Sequence, residues 1–85
     1  MAMTTPDWLA RRDGGLRMGY DGLTWLVLFN GGPQYELTPI PAAGRFSCAI
    51  VETVSSERLD EGATYPTDGD ALRGGLEELR TFLGW

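Results

Sequence analysis

The sequence predicts an α+β domain: an antiparallel sheet of four to five strands, a C-terminal amphipathic helix packed on one face, and a short N-terminal helix. Several short segments alternate apolar and polar residues between turn signals, which is typical of strands. The last part of the chain instead repeats apolar residues at helical spacing, namely Leu72, Leu76, Leu79 and Leu83. Strands followed by a helix favour an α+β arrangement with the helix on one sheet face.

The C-terminal helix is predicted over residues 67–83. Thr67 suits the N-cap, with Asp70 three residues later as in a capping box, and Gly84 suits the C-cap. Residues that widen the leucine line into one apolar face are Ala71, Gly75 and Phe82. Gly75 projects toward this face and would let the helix lie close to a sheet. Gly74 projects outward, and the sequence offers no packing reason for it.

A shorter helix is predicted over residues 5–12. Thr5 suits its N-cap and Pro6 its first helical position. A helix of this length does not stand alone in water, so Trp8 and Leu9 are expected to dock it on the domain.

Asp21-Gly22 lies between two apolar runs, residues 16–20 and 23–29, and predicts a β-hairpin with a type I′ turn. A two-residue loop would set Tyr20 against Leu23, and, further along, Met18 against Trp25. The second run is apolar on both of its faces, which indicates a central strand or one covered on both sides.

The following segments predict the rest of the sheet. Residues 34–38 alternate, and Pro39 and Pro41 are expected to end the ladder, which makes residues 39–44 an extended connection. Residues 45–54 alternate again, with one apolar face formed by Phe46, Cys48, Ile50 and Val54. The C-terminal helix is expected to cover that face. A turn at Ser55-Ser56 is expected to lead into residues 57–59, residues 60–62 are expected to form an acidic loop or bulge, and residues 63–65 lead into the C-terminal helix.

Composition limits the classes of function. The 85 residues, 1–85, suit a single domain, and the net charge of −5 with seven Arg and no Lys argues against nucleic-acid and anionic-membrane partners. The longest apolar run is too short to span a membrane and no signal peptide is visible. Cys48 stands alone, so no internal disulfide forms, and a cytoplasmic protein is expected.

Catalysis and metal binding find little support in the sequence. There is no His, and Cys48 lies within an apolar alternation as a small buried residue. Candidate acid/base pairs are Asp60-Glu61, Asp68-Asp70 and Glu77-Glu78. A solvated loop, a helix start and a solvated helix face account for them more simply. The prediction is a non-catalytic domain with no cofactor and no metal.

From Phe46 onward, an alternating strand and a hairpin lead to Thr67-Asp68-Gly69-Asp70-Ala71-Leu72 at the start of a helix. This segment resembles the C-terminal part of HicB-like antitoxin domains. It is also similar to the sheet-plus-helix domains of phage-type integrases, which read DNA with the sheet. The resemblance covers residues 46–83, about half of the chain, and more than forty residues precede it. It implies an antitoxin-like regulator or sheet-mediated nucleic-acid binding, and it carries no functional residue over.

The leading hypothesis is therefore a small domain that binds another protein or its own copy. An uncovered apolar face or a sheet edge would be the route to association. The candidate binding residues are Trp85, Arg45 and Arg58. Trp85 either folds back onto the domain or stays available to a partner.

Overall fold

The structure, a computed structural model, describes residues 5–29, 31–60 and 62–85. The elements of this part of the chain, in order, are α1 (Asp7–Ala10), β1 (Gly14–Met18), β2 (Trp25–Phe29), β3 (Gly32–Ala42), β4 (Arg45–Glu52), β5 (Thr64–Tyr65) and α2 (Asp68–Leu83). The strands form one antiparallel sheet in the order β1-β2-β3-β4-β5, so each strand pairs with its neighbour in sequence. The predicted α+β class is confirmed.

Helix α2 begins and ends where its capping residues predict. The Thr67 hydroxyl accepts a hydrogen bond from the Asp70 N–H at 3.1 Å, and Gly84 closes the helix in the left-handed conformation at φ 75°. The buried face of the helix lies over β3 and β4 and is formed by Ala71, Leu72, Leu76 and Leu79. Phe82 was expected on this face but is 59% exposed, because it lies at the sheet's outer edge, beside a groove.

Both glycines in the middle of α2 make room for a side chain of the sheet. A Cβ atom at Gly75 would overlap the Sγ of Cys48 and stand 2.9 Å from its Cβ, so this glycine sets how closely the helix approaches β4. A Cβ atom at Gly74 would overlap the ring of Tyr65. The close approach at Gly75 is confirmed, and Gly74 has a packing reason that the sequence did not reveal.

The first hairpin has the predicted register but a different loop. Met18 pairs with Trp25, and Leu16 pairs with Val27. Beyond this pair the Gly19 N–H donates to the Thr24 carbonyl at 2.7 Å, and the Asp21 carboxylate accepts hydrogen bonds from the Leu23 N–H at 2.9 Å and the Thr24 N–H at 2.8 Å. The predicted type I′ turn and the predicted Tyr20–Leu23 pair are therefore wrong: Gly22 has positive φ, Asp21 does not, and Tyr20 is fully exposed.

Strand β3 continues through both prolines, so the predicted end of the ladder at Pro39 is wrong. Pro39 pairs with Cys48 and Pro41 with Phe46, up to a tight turn at residues 43–44. In an antiparallel ladder alternate residues point their N–H groups to opposite sides. The nitrogens of Pro39 and Pro41 point to the side of β2. The pairing of β2 with β3 does not extend past the Trp25–Leu37 pair, so no β2 carbonyl there lacks a hydrogen-bond donor because of the prolines.

The N-terminal helix is shorter than predicted and begins later. Pro6 takes the N-cap position without a side-chain hydrogen bond, so Thr5 is not the cap. Leu9 is fully buried in the core and Trp8 packs against it, as expected. Contact between Leu9 and Gly14 docks this helix on β1.

The sheet ends in an interrupted edge strand. Val54 lies in a turn after β4 and is 85% exposed, so it does not share the apolar face of Phe46 as predicted. Beyond that turn, the Leu59 N–H donates to the Ile50 carbonyl at 2.8 Å, while the Ile50 N–H donates to the Asp60 carboxylate at 3.1 Å. A side chain thus replaces a main-chain acceptor before β5 resumes the ladder. The predicted acidic loop includes Glu61, which lies outside the described residues.

Among the described residues, neither helix has the length and apolarity that a membrane span requires.

Candidate functional site: the open face of the sheet

One face of the sheet is covered and the other is not. Leu9 of α1 and the leucines of α2 join a single core cluster with Trp25, Val27, Leu37, Cys48 and Ile50. Both helices therefore lie on the face that these five sheet residues share. Within the described part of the chain, no helix packs on the opposite face, which we call the open face. Its residues, assigned from the strand register, include Arg17, Leu26, Leu28, Glu36, Thr38, Ala49 and Val51.

The open face carries apolar side chains on two of its strands, β2 and β4. Leu26 and Leu28 of β2 and Val51 of β4 are half-buried, although none of the three belongs to the core cluster. Ala49 of β4, which pairs with Thr38 on this face, is buried. Ile40, paired with Ser47 on the same face, is 37% exposed. Glu36 and Thr38 of β3 lie between these two apolar groups, so Leu26 and Leu28 form one apolar group on β2 and Ala49 and Val51 form another on β4.

Opposite charges lie on either side of Leu26. The register places Arg17 beside Leu26, and Leu26 beside Glu36, on three successive strands. Neighbouring strands lie about 4.8 Å apart, so Arg17 and Glu36 stand about 10 Å apart with Leu26 between them. The Thr24 and Thr38 hydroxyls, 2.9 Å apart, continue the polar boundary along the strands.

The hairpin loop beside the open face is held by one carboxylate. Asp21 accepts a hydrogen bond from the Thr24 hydroxyl at 2.6 Å in addition to its two backbone donors. These bonds, with that of the Thr24 hydroxyl the strongest, lower the pKa of Asp21 to about 2. The carboxylate stays ionised at neutral pH and fixes the loop that precedes β2.

Two of the three residues predicted to bind a partner lie on the open face. Arg45 donates hydrogen bonds to Thr64, at 3.2 Å to the hydroxyl, and Arg58 binds both oxygens of Asp60 at 2.7 and 2.8 Å. Arg58 is placed there by its bridge to Val51.

Trp85 lies on the covered side of the sheet. Its ring centroid is 5.3 Å from that of Phe29 and 6.2 Å from that of Trp8, and the Arg12 guanidinium sits 4.2 Å above its ring. Trp85 thus folds back onto the domain, which is one of the two alternatives left open by the sequence. The structure does not bring it together with Arg45 and Arg58.

The groups that could carry chemistry have structural surroundings. Cys48 is buried, and burial is the main cause that raises the pKa of its thiol to about 12, so a nucleophilic thiolate does not form at neutral pH. Asp68 accepts from the Gly69 N–H, and Asp70 pairs with Arg73, both at the start of α2. No cluster of three or more metal-ligating side chains occurs in residues 5–29, 31–60 and 62–85.

No protein-family model, no curated protein and no solved structure matches this chain. The resemblance of residues 46–83 to HicB-like domains therefore stays a prediction.

Sequence reasoning missed the placement of Arg17 and Glu36 on either side of Leu26. Alternation along the two strands of the hairpin is enough to place Arg17 and Leu26 on the same face. The position of Glu36 in this row depends on how β3 pairs with β2, where Gln34 forms a bulge opposite the Val27–Leu28 step. The sequence of a glycine-proline turn followed by a bulge is not enough to predict how β3 aligns with β2.

Proposed function

We propose that this chain is a non-catalytic protein-interaction domain that associates with its own copy through the open face. The observation that carries the proposal is the row Arg17, Leu26, Glu36, with opposite charges on either side of a leucine. Such a row is complementary to itself after a half-turn, as the interface of a twofold dimer must be.

A twofold axis running along β2 gives the simplest arrangement. It sets Leu26 against Leu26 and Leu28 against Leu28 of the second copy. It also sets Arg17 of each copy against Glu36 of the other, which makes two ion pairs at the sides of the interface. The two sheets would pack face to face about 10 Å apart, with their strands nearly aligned.

The expected affinity is modest. Fully burying one leucine side chain contributes about 1.5–3 kcal/mol, and Leu26 and Leu28 are already half-buried in the single chain. Exposed ion pairs add about 0–1 kcal/mol each. Two copies that each carry a net charge of −5 repel one another. We therefore expect a reversible dimer in the micromolar range rather than an obligate one.

Sedimentation of the chain over a concentration series tests the proposal. The expected result is a monomer–dimer equilibrium that is weakened in Arg17→Glu and in Glu36→Arg, because each variant sets like charges together at both sides of the interface. An equimolar mixture of the two variants should restore association. In the mixed dimer one copy presents only carboxylates and the other only guanidinium groups, so both ion pairs form again.

A matched control separates this effect from a general change in net charge. Arg11→Glu, at an exposed arginine beside α1, alters the net charge as much as Arg17→Glu does, and it should dimerise like the parent. Two results would contradict the proposal. One is a monomer at every concentration, and the other is a dimer whose affinity is unchanged by either charge reversal on the open face.

Sheet-mediated nucleic-acid binding is the second candidate, because Arg17, Arg45 and Arg58 share the open face. The sheet's aromatic residues, which would stack on bases, instead belong to or pack against the core on the other face. Arg58 is also neutralised by Asp60. A salt-dependent mobility shift with single- or double-stranded DNA or RNA would favour this candidate, and no shift at low salt would eliminate it.

The proposed location is the cytoplasm. The thiol of Cys48 is free and buried, which fits a reducing compartment.

A further inference from the structure

A groove runs between α2 and the outer edge of the sheet, on the covered side and away from the open face. It encloses about 630 Å³. Leu59 and Tyr65 of the edge line one wall, and Glu77, Glu78 and Phe82 of α2 line the other. We call it the edge groove.

The groove exists because α2 and the interrupted edge strand do not close against each other. Tyr65 lies directly on Gly74, so the helix is held close to the sheet at that point. Further along the helix, the residue of the edge strand beside the groove is Leu59. Its N–H donates to the Ile50 carbonyl, but the Ile50 N–H donates to the Asp60 carboxylate and not to a main-chain carbonyl. The wider gap there leaves Leu59 half-buried and Phe82 59% exposed.

The edge groove combines apolar side chains, those of Leu59, Tyr65 and Phe82, with negative charge. Glu77 and Glu78 are adjacent on the helix wall, and none of the described residues that line the groove is Arg or Lys. Burial is the first cause of the raised pKa values of Tyr65 and Cys48, and the Glu78 carboxylate is the second cause for both. Glu78 therefore acts electrostatically on Tyr65, which lines the groove. Glu77 stands 3.6 Å from Arg80 in an exposed pair that a cation inside the groove can replace.

We propose that the edge groove binds a peptide segment of a partner protein that carries a bulky apolar side chain flanked by arginine or lysine. The apolar side chain would cover Leu59 and Phe82, and the flanking cations would meet Glu77 and Glu78. This is recognition of a short segment by an apolar pocket with a complementary charged wall. The site is separate from the open face and does not depend on self-association.

NMR titration of the isotope-labelled chain tests this site with three short synthetic peptides. Each peptide has a central Leu-Phe pair, flanked by arginine, by glutamine or by glutamate. The arginine-flanked peptide is expected to bind tightest and to shift the amide signals of Leu59 and of residues 77–82. Glu77→Gln should weaken its binding about two- to fivefold, as expected for one partly screened ion pair. Phe82→Ser should weaken the arginine- and glutamine-flanked peptides alike.

Asp13→Asn, at an exposed carboxylate before β1 and at the opposite edge of the sheet from the groove, is the matched control and should leave peptide binding unchanged. The proposal is overturned if the arginine-flanked peptide leaves the groove signals unmoved at millimolar concentration. It is also overturned if the glutamate-flanked peptide binds as tightly. Because Phe82 and Glu77 are exposed, both variants should keep the dispersed spectrum of the folded chain.

Discussion

Gly75 of α2 lies against the side chain of Cys48 in β4, so closely that a methyl group on the helix would overlap the sulfur atom. This contact fixes the distance between the helix and the sheet, and with it the core formed by Leu72, Leu76 and Leu79. The covered face is closed by that contact, while no helix of the described residues packs on the opposite face.

Replacing Gly75 with alanine should destabilise the fold by about 1–3 kcal/mol, because the new methyl overpacks a closed interface. The gain in helix propensity, about 1 kcal/mol, offsets part of that loss. Chemical denaturation measures the change. In the double variant Gly75→Ala/Cys48→Gly the side chain that the new methyl would overlap is removed. This variant should recover part of the lost stability.

Gly15→Ala is the control for this pair, since nothing lies within 4 Å of a Cβ atom built there. It should be neutral or stabilising. Equal losses in Gly15→Ala and Gly75→Ala would show that the Cys48 contact does not set the helix position.

Removing the N-cap of α2 should cost about 1 kcal/mol, because Thr67→Ala leaves the Asp70 N–H without its acceptor. Thr81→Ala is the matched change within the same helix. Its hydroxyl only donates back to the Glu77 carbonyl, so it should have little effect. Urea denaturation of both variants compares them, and a larger loss in Thr81→Ala would contradict the capping assignment.

Asp60 should make the fold sensitive to acid. The Arg58 guanidinium is the main cause that lowers the pKa of this carboxyl, and the Ile50 N–H also contributes. A lowered folded-state pKa means that the stabilisation is present above the unfolded value, about 3.9, and is lost as pH falls through the folded-state pKa. Arg58→Gln should raise the pKa of Asp60 in an NMR titration.

Asp21 is the internal reference in that titration, because its pKa of about 2 depends on Thr24 and not on Arg58. It should titrate unchanged in Arg58→Gln. If the pKa of Asp60 does not move, the Arg58 contact is not formed in solution.

Cys48 should resist thiol reagents in the folded chain. Burial raises the pKa of its thiol to about 12, and the thiolate is the reactive form. A disulfide reagent at neutral pH should modify it only as fast as the domain opens, and at once in denaturant. Rapid, complete modification of the native chain would show that α2 does not cover β4.

Local signals were sufficient to predict much of this fold. The caps of α2 at Thr67 and Gly84 and the register of the first hairpin follow from short-range chemistry and alternation. The prolines of β3 were misread because their fit depends on where β2 ends, which is a property of the neighbouring strand. Gly74 could not be explained in advance, since its reason is the ring of Tyr65, which packs on it only in the folded chain.

The candidate site, too, has features that local sequence signals predict and features that depend on how the strands pair. Alternation identified β2 as apolar on both faces, but no local signal says which face the helices cover. The row formed by Arg17, Leu26 and Glu36 depends on two strand registers together, and the second includes a bulge. The edge groove depends on the distance between α2 and a strand interrupted at Asp60, which no sequence pattern encodes.

An isotope-filtered NOE experiment on a mixture of labelled and unlabelled chains at dimer-forming concentration would detect association through the open face directly. We expect cross-peaks between the methyl groups of Leu26 in one copy and Leu26 in the other, together with contacts between the Leu28 side chains. Intermolecular cross-peaks confined to other surfaces, such as Phe82 or Val54, or no such cross-peaks at all, would contradict association through the open face.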